Sequence, residues 1–139
     1  MKMTTLDMCS IRQLNLFERI TGVRTKTCFS YNNAVIFAVP FAFVSKAIGR
    51  EGKNVKKLVS IIGKKIKIVS LPRGIGDARK FISDIVAPNT FRNLEINDKE
   101  IIISASMQSK ASLIGRNKAR LQELEKIVRE VFGAGLRVV

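Results

Sequence analysis

A chain of 139 residues has room for one ordinary domain or two very small ones, and 46% hydrophobic with 26% charged residues suits a chain folded almost throughout. The formal charge of +14, with 25 Lys and Arg against 11 Asp and Glu, attracts polyanions: nucleic acid first, anionic membrane second. The chain has no His, which removes the most frequent general base, the usual triads and most metal-site patterns, so neither an enzyme nor a cofactor is expected.

At the N-terminus, Met1-Lys2-Met3-Thr4-Thr5 lacks the apolar stretch of a signal peptide, and a cytosolic (cytoplasmic) protein is expected. The longest apolar run, Ala34 to Val44, is broken by Pro40 and is too short to span a bilayer, so no membrane partner is expected. Cys9 and Cys28 have no CxxC spacing and read as two reduced core thiols. Ile11, Leu14, Phe17 and Ile20 mark a helix from about Asp7, with Gly22 just past its end. A run from Arg24 to Tyr31 meets Asn32-Asn33, a pair that tolerates positive φ, and turns back into an apolar strand over Ala34 to Val39. After Pro40 a short helix ends at Gly49, and a second runs from Lys53 to Ile62 with Val55, Leu58, Val59 and Ile62 on its buried side. Gly63 stops it, and Lys64 to Leu71 reads as a strand. Phe29, Phe37, Phe41 and Phe43 fall in apolar patterns and are expected in the core, which leaves no evident aromatic stacking platform.

The order then repeats. A shift of 66 residues carries Ile48-Gly49-Arg50 onto Ile114-Gly115-Arg116, and Val35-Ile36-Phe37 onto Ile101-Ile102-Ile103. The segment Leu71-Pro72-Arg73-Gly74-Ile75-Gly76-Asp77-Ala78 reads as the turn between copies; a helix-hairpin-helix motif would need a helix before its glycines. In the second copy a helix spans about Gly76 to Val86, and Phe91 to Ile96 pairs with Glu100 to Ala105 across Asn97-Asp98-Lys99. A short helix ends at Gly115, and a longer one runs from Lys118 to Phe132 with Leu121, Leu124, Val128 and Val131 on one face. Gly133 stops that helix about one turn later than Gly63 stops its counterpart, and Leu136 to Val139 is a final strand. Glu123, Lys126, Glu125 and Arg129 are spaced for surface ion pairs.

Gly49-Arg50-Glu51-Gly52 joins two short helices, and glycine at both ends lets a phosphate backbone approach without meeting a Cβ. The helix beginning at Lys53 offers free amides and the positive end of its dipole, with Lys53, Lys56 and Lys57 on one face. Alone, such a turn is a common way to join helices. Between a hairpin and a strand, with Ile48 before it and a basic helix after, it suits a single-strand clamp. The counterpart Gly115-Arg116-Asn117-Lys118 has lysine where the closing glycine should stand; Arg116, Lys118 and Arg120 still favour RNA contact there, against a domain kept as a packing partner. Up to Ser70 the chain holds 13 Lys and Arg and 3 acids, net +10; beyond it 12 and 8, net +4.

Ile48-Gly49-Arg50-Glu51-Gly52-Lys53-Asn54-Val55 resembles the core motif of the K-homology (KH) domain in its helix-first, type II form, α-β-β-α-α-β. The resemblance implies an α+β protein of two tandem type II KH domains, residues 1–71 and 72–139, closely docked with one continuous RNA surface. It implies a groove for about four nucleotides, with Gly49, Arg50, Glu51 and Gly52 on the sugar-phosphate backbone, Lys53 close by and Ile48 under the bases. Together with Leu113-Ile114-Gly115-Arg116-Asn117-Lys118-Ala119-Arg120-Leu121, the motif is similar to that of the NusA family of transcription elongation and termination factors, in its archaeal-type short form. That resemblance implies single-stranded RNA as partner but leaves contact with RNA polymerase open, since the N-terminal polymerase-binding domain of bacterial members does not fit here; a monomer acting without turnover is expected. A protein-interaction adaptor on polymerase or ribosome, and a ribosome-assembly factor, are the competing readings.

Overall fold

A computed structural model describes residues 11–139; the expected start of the first helix near Asp7 lies outside them. The chain divides into two compact units, the first ending at Pro72 and the second running from Arg73 to Val139.

In the first unit α1 (Ile11–Thr21) ends where Gly22 turns to φ +74, its N–H donating to the Glu18 carbonyl at 2.8 Å. The buried Thr21 hydroxyl donates to the Phe17 carbonyl at 2.7 Å and accepts from the Val23 N–H at 3.1 Å, which satisfies the helix end internally. Strands β1 (Thr27–Tyr31) and β2 (Ala34–Val39) form an antiparallel hairpin, with Asn32 and Asn33 at φ +51 and +60 as the sequence requires of a tight turn. A 3₁₀ turn over Phe41–Phe43 runs straight into α2 (Val44–Ile48). After the glycine loop comes α3 (Lys53–Ile62), capped by Gly63 in the left-handed region, then β3 (Lys65–Ser70), which pairs parallel with β2 from Ala34 opposite Lys65. The sheet order is β1-β2-β3. One face carries the core: Phe17 of α1 stacks on Phe37 of β2 at 4.2 Å between centroids, with Val35, Val39, Ala47, Leu58 and Ile66 buried around them. Each of the larger side chains, Ala47 apart, contributes about 1.5–3 kcal/mol by leaving water.

Three sequence expectations are corrected in this unit. Phe41 and Phe43 are not core; both are exposed. After Pro40 the chain winds into a 3₁₀ turn and the expected short helix, and neither ring falls on the inward side. Val44 and Ala47 face the core instead. Val59 is likewise exposed, since Val55, Leu58 and Ile62 already fill the inward stripe of α3. Cys28 is buried as expected but disulfide-bonded, not a free thiol; the chain's other cysteine, Cys9, lies outside the described residues.

The second unit repeats the plan with α4 (Ala78–Val86), β4 (Asn93–Asn97), β5 (Glu100–Ser104), α5 (Met107–Ile114), α6 (Ala119–Phe132) and β6 (Gly135–Val138). Its sheet order is β4-β5-β6, the first pair antiparallel and the second parallel. Asn97 pairs with Glu100 inside the ladder, so the hairpin turn is Asp98-Lys99 alone, one residue shorter than the sequence suggested. Helix α6 has 14 residues where α3 has 10, one added turn as the two stop glycines imply. Leu124, Ile127 and Val128 are its buried residues, and Phe132 meets Phe81 of α4 edge-on at 5.7 Å. Before α4, the Arg73 N–H donates to the Asp77 carboxylate at 2.9 Å, and a strand precedes this turn as expected. The α+β class holds: each unit has the α-β-β-α-α-β order and one three-stranded sheet. Among the described residues no helix is long and apolar enough to cross a membrane.

Candidate nucleic-acid interface

The glycine loop of the first unit is a tight turn pinned at both ends. Gly49 (φ +82, ψ 168) receives α2 through its N–H on the Ser45 carbonyl at 3.0 Å, and its own carbonyl accepts from the Gly52 N–H at 3.1 Å. Glu51 (φ +55, ψ 29) and Gly52 (φ +73, ψ 21) are both left-handed, which throws the chain directly into the first turn of α3.

The two glycines do different jobs. A Cβ at Gly49 would meet the side chain of Asn54 at 2.9 Å and its backbone nitrogen at 3.0 Å, so the first glycine is required by the protein's own packing. A Cβ at Gly52 would meet nothing within 4 Å. The second glycine faces open space, where only backbone strain or an incoming ligand can select for it. Asn54 is a residue whose role sequence reasoning missed. Its Nδ2 donates to the Lys46 carbonyl at 3.2 Å, tying α3 back to α2 across the loop. The signal was present in the clash with Gly49, but only coordinates show it.

Arg50, Glu51, Lys53 and Lys56 line an open depression of about 390 Å³ at this turn. Arg50, Glu51, Lys53, Lys56 and Lys57 are exposed, Gly49 and Gly52 partly so, and Ile48 is half-buried beside the loop. Lys57 is on the same helix but does not line the depression. Helix α3 has no acidic residue in its first turn and no side-chain cap at Gly52. Lysines at the positive end of a helix oppose its dipole; the Lys53 N–H donates back to the Arg50 carbonyl, and the next amides of the first turn have no partner within the helix. An anion at that end satisfies the amides and offsets the repulsion at once. Glu51 sits exposed at the apex, where its carboxylate can turn to solvent.

In the second unit the backbone is the same turn with different side chains. Gly115 (φ +74, ψ 173), Asn117 (φ +56, ψ 29) and Lys118 (φ +61, ψ 23) reproduce the first loop's conformation, and the Lys118 N–H donates to the Gly115 carbonyl at 3.2 Å. Lys118 thus holds a left-handed conformation without glycine's freedom. Arg116, Asn117 and Lys118 are exposed. Arg120 stands where Asn54 stands in the first unit; a Cβ on Gly115 would fall 2.7 Å from its Cγ, and its guanidinium pairs with Glu123 at 3.0 Å. Glu123 therefore pairs within the first turns of α6. Replacing Lys118 with glycine is expected to stabilise this unit by about 1 kcal/mol, read as a rise of a few degrees in thermal melting. A fall in Tm would mean that the lysine side chain, not the backbone, dominates there.

Among the described residues no group of three or more His, Cys, Asp or Glu could hold a metal ion.

No protein-family model matches the chain. Three relatives, each named as a probable transcription termination protein NusA, do. The protein of Methanococcus vannielii is 26% identical, with 98% of this chain and 82% of the relative covered. That of Halococcus morrhuae is 25% identical over 92% of each chain, and that of Methanocaldococcus jannaschii is 28% identical over 86% of this chain and 66% of the relative. The crystal structure of APE1850 is similar with a TM-score of 0.64 and 25% identity, covering 98% of this chain and 99% of that one. The resemblance to the archaeal NusA proteins first read from two short loops thus extends over most of the chain.

Proposed function

We propose that this protein binds single-stranded RNA at its glycine loops and serves as a transcription factor of the NusA type, holding nascent RNA without turning it over. The observation that carries the reading is the first loop. An uncapped, cationic helix start lies beside an open depression lined by Arg50, Lys53 and Lys56, behind a glycine whose outer face meets no protein atom. A phosphate chain supplies what that arrangement lacks, namely acceptors for the first-turn amides and negative charge for the lysines. The names of the three relatives support a transcriptional setting, in which RNA polymerase is the protein partner.

The second loop carries the same backbone and contributes Arg116, Asn117 and Lys118 to this reading. Arg120 gives less, because its charge is shared with Glu123. The first unit therefore carries most of the affinity.

Filter binding at several salt concentrations tests the proposal. Single-stranded RNA is expected to bind more tightly than duplex DNA of equal length, with log K falling against log salt by about 0.7 per phosphate contacted. Equal affinity for the duplex would reduce the site to bare positive charge and remove the groove.

A further inference from the structure

We infer that Phe41, and Met107 at the equivalent place in the second unit, form a nucleobase contact at the far end of each RNA cleft; the inference rests on the proposed RNA reading. Phe41 is 67% and Met107 90% exposed, which is unusual for large apolar side chains in a chain that buries most of its others. The 66-residue shift that superposes Gly49 on Gly115 also carries position 41 onto 107. Two copies of one plan have thus kept a large, wet, apolar side chain at one location, although the residue type differs.

That location is aligned with the cleft. The 3₁₀ turn Phe41–Phe43 leads through Phe43 (φ −106, ψ 0) into α2, which ends at Gly49, so Phe41, Ser45 and Ile48 follow one another at i, i+4 and i+7 toward the loop. This row flanks the inward stripe of Val44 and Ala47 and leads to the glycine turn. Ile48 is half-buried, Ser45 is small and exposed, and Phe41 closes the row roughly 10 Å from the loop along the helix. In the second unit Met107, Ala111 and Ile114 make the same row up to Gly115. A strand whose phosphates lie at the loop and its lysines would place bases along this row. An exposed ring offers a stacking face that any base can use, and a thioether offers a softer, adaptable apolar contact. Phe43, although exposed, lies off this row and serves as the internal control.

The chain contains no Trp, so Phe41→Trp, Met107→Trp and Phe43→Trp each introduce a single fluorophore at a surface site. Titration with an unstructured single-stranded RNA is expected to quench Trp at 41 and at 107 but not at 43. Titration with inorganic polyphosphate, which carries charge without bases, should quench none of them. Phe41→Ala should weaken RNA binding roughly ten-fold, Phe41→Leu should not restore it, and Phe41→Tyr should. If RNA binds with unchanged affinity and no quenching at position 41, the inference is overturned while the loop reading stands. If the wild-type chain shows no preference for single-stranded RNA, the underlying reading itself has failed. Quenching by polyphosphate as well would also overturn the stacking contact, since a conformational response to charge would then explain the signal.

Discussion

Exchanging Arg50 and Glu51 together for aspartate is expected to weaken single-stranded RNA binding by on the order of 100-fold or more and to leave the melting temperature nearly unchanged. The change replaces a cation by an anion at the lip of the cleft and keeps the second carboxylate, so the approaching phosphate meets two negative charges beside the helix start. Folding is insulated from it for two reasons. Both side chains are exposed, and aspartate enters the left-handed conformation of residue 51 at least as readily as glutamate does. Acidic residues just ahead of α3 also favour its dipole, so any movement in Tm should be upward. Fluorescence anisotropy with a labelled RNA, beside a circular-dichroism melt, separates binding from folding. Retained binding by a folded variant would place the clamp elsewhere.

The second large effect is on stability, and it divides the two glycines of the same loop. Gly49→Ala is expected to cost about 3 kcal/mol, because its φ of +82 with ψ of 168 belongs to glycine and the new Cβ presses on the backbone nitrogen of Asn54. The melting temperature should fall by roughly 10 °C or more. Gly52→Ala should cost only about 1 kcal/mol, since residues other than glycine tolerate φ +73 with ψ 21 and no atom stands within 4 Å. Lys118 already occupies that backbone conformation in the second unit. Chemical denaturation of the pair measures the difference directly. Equal losses would show that Asn54 does not confine Gly49 as the distances indicate.

Much of the fold was legible before any coordinates. The hairpin at Asn32-Asn33, the helix stops at Gly22, Gly63 and Gly133, and the added turn in α6 all follow from residues that most readily adopt the required backbone angles. The loop itself was legible for the same reason, with its basic helix placed by spacing. What failed did so where two patterns compete for the same letters. Phe41 and Phe43 belong to an apolar run, yet the 3₁₀ turn after Pro40 leaves both in water. Val59 satisfies the helical period but stands exposed beside the inward residues Val55, Leu58 and Ile62. Cys28 gave no local sign that it would be disulfide-bonded.

The amino-acid order by itself determined the duplicated α-β-β-α-α-β plan, the excess of positive charge in the first copy and the glycine turns that punctuate both. These are properties of single residues and short periods, since allowed φ, charge and apolar spacing are local quantities. Tertiary structure alone decided that Asn54 holds Gly49, that Gly52 faces empty space, and that Phe41 and Met107 are left uncovered. Each of these depends on which atoms from separate elements arrive within a few ångströms of one another. Packing settles that, and no window of sequence contains it.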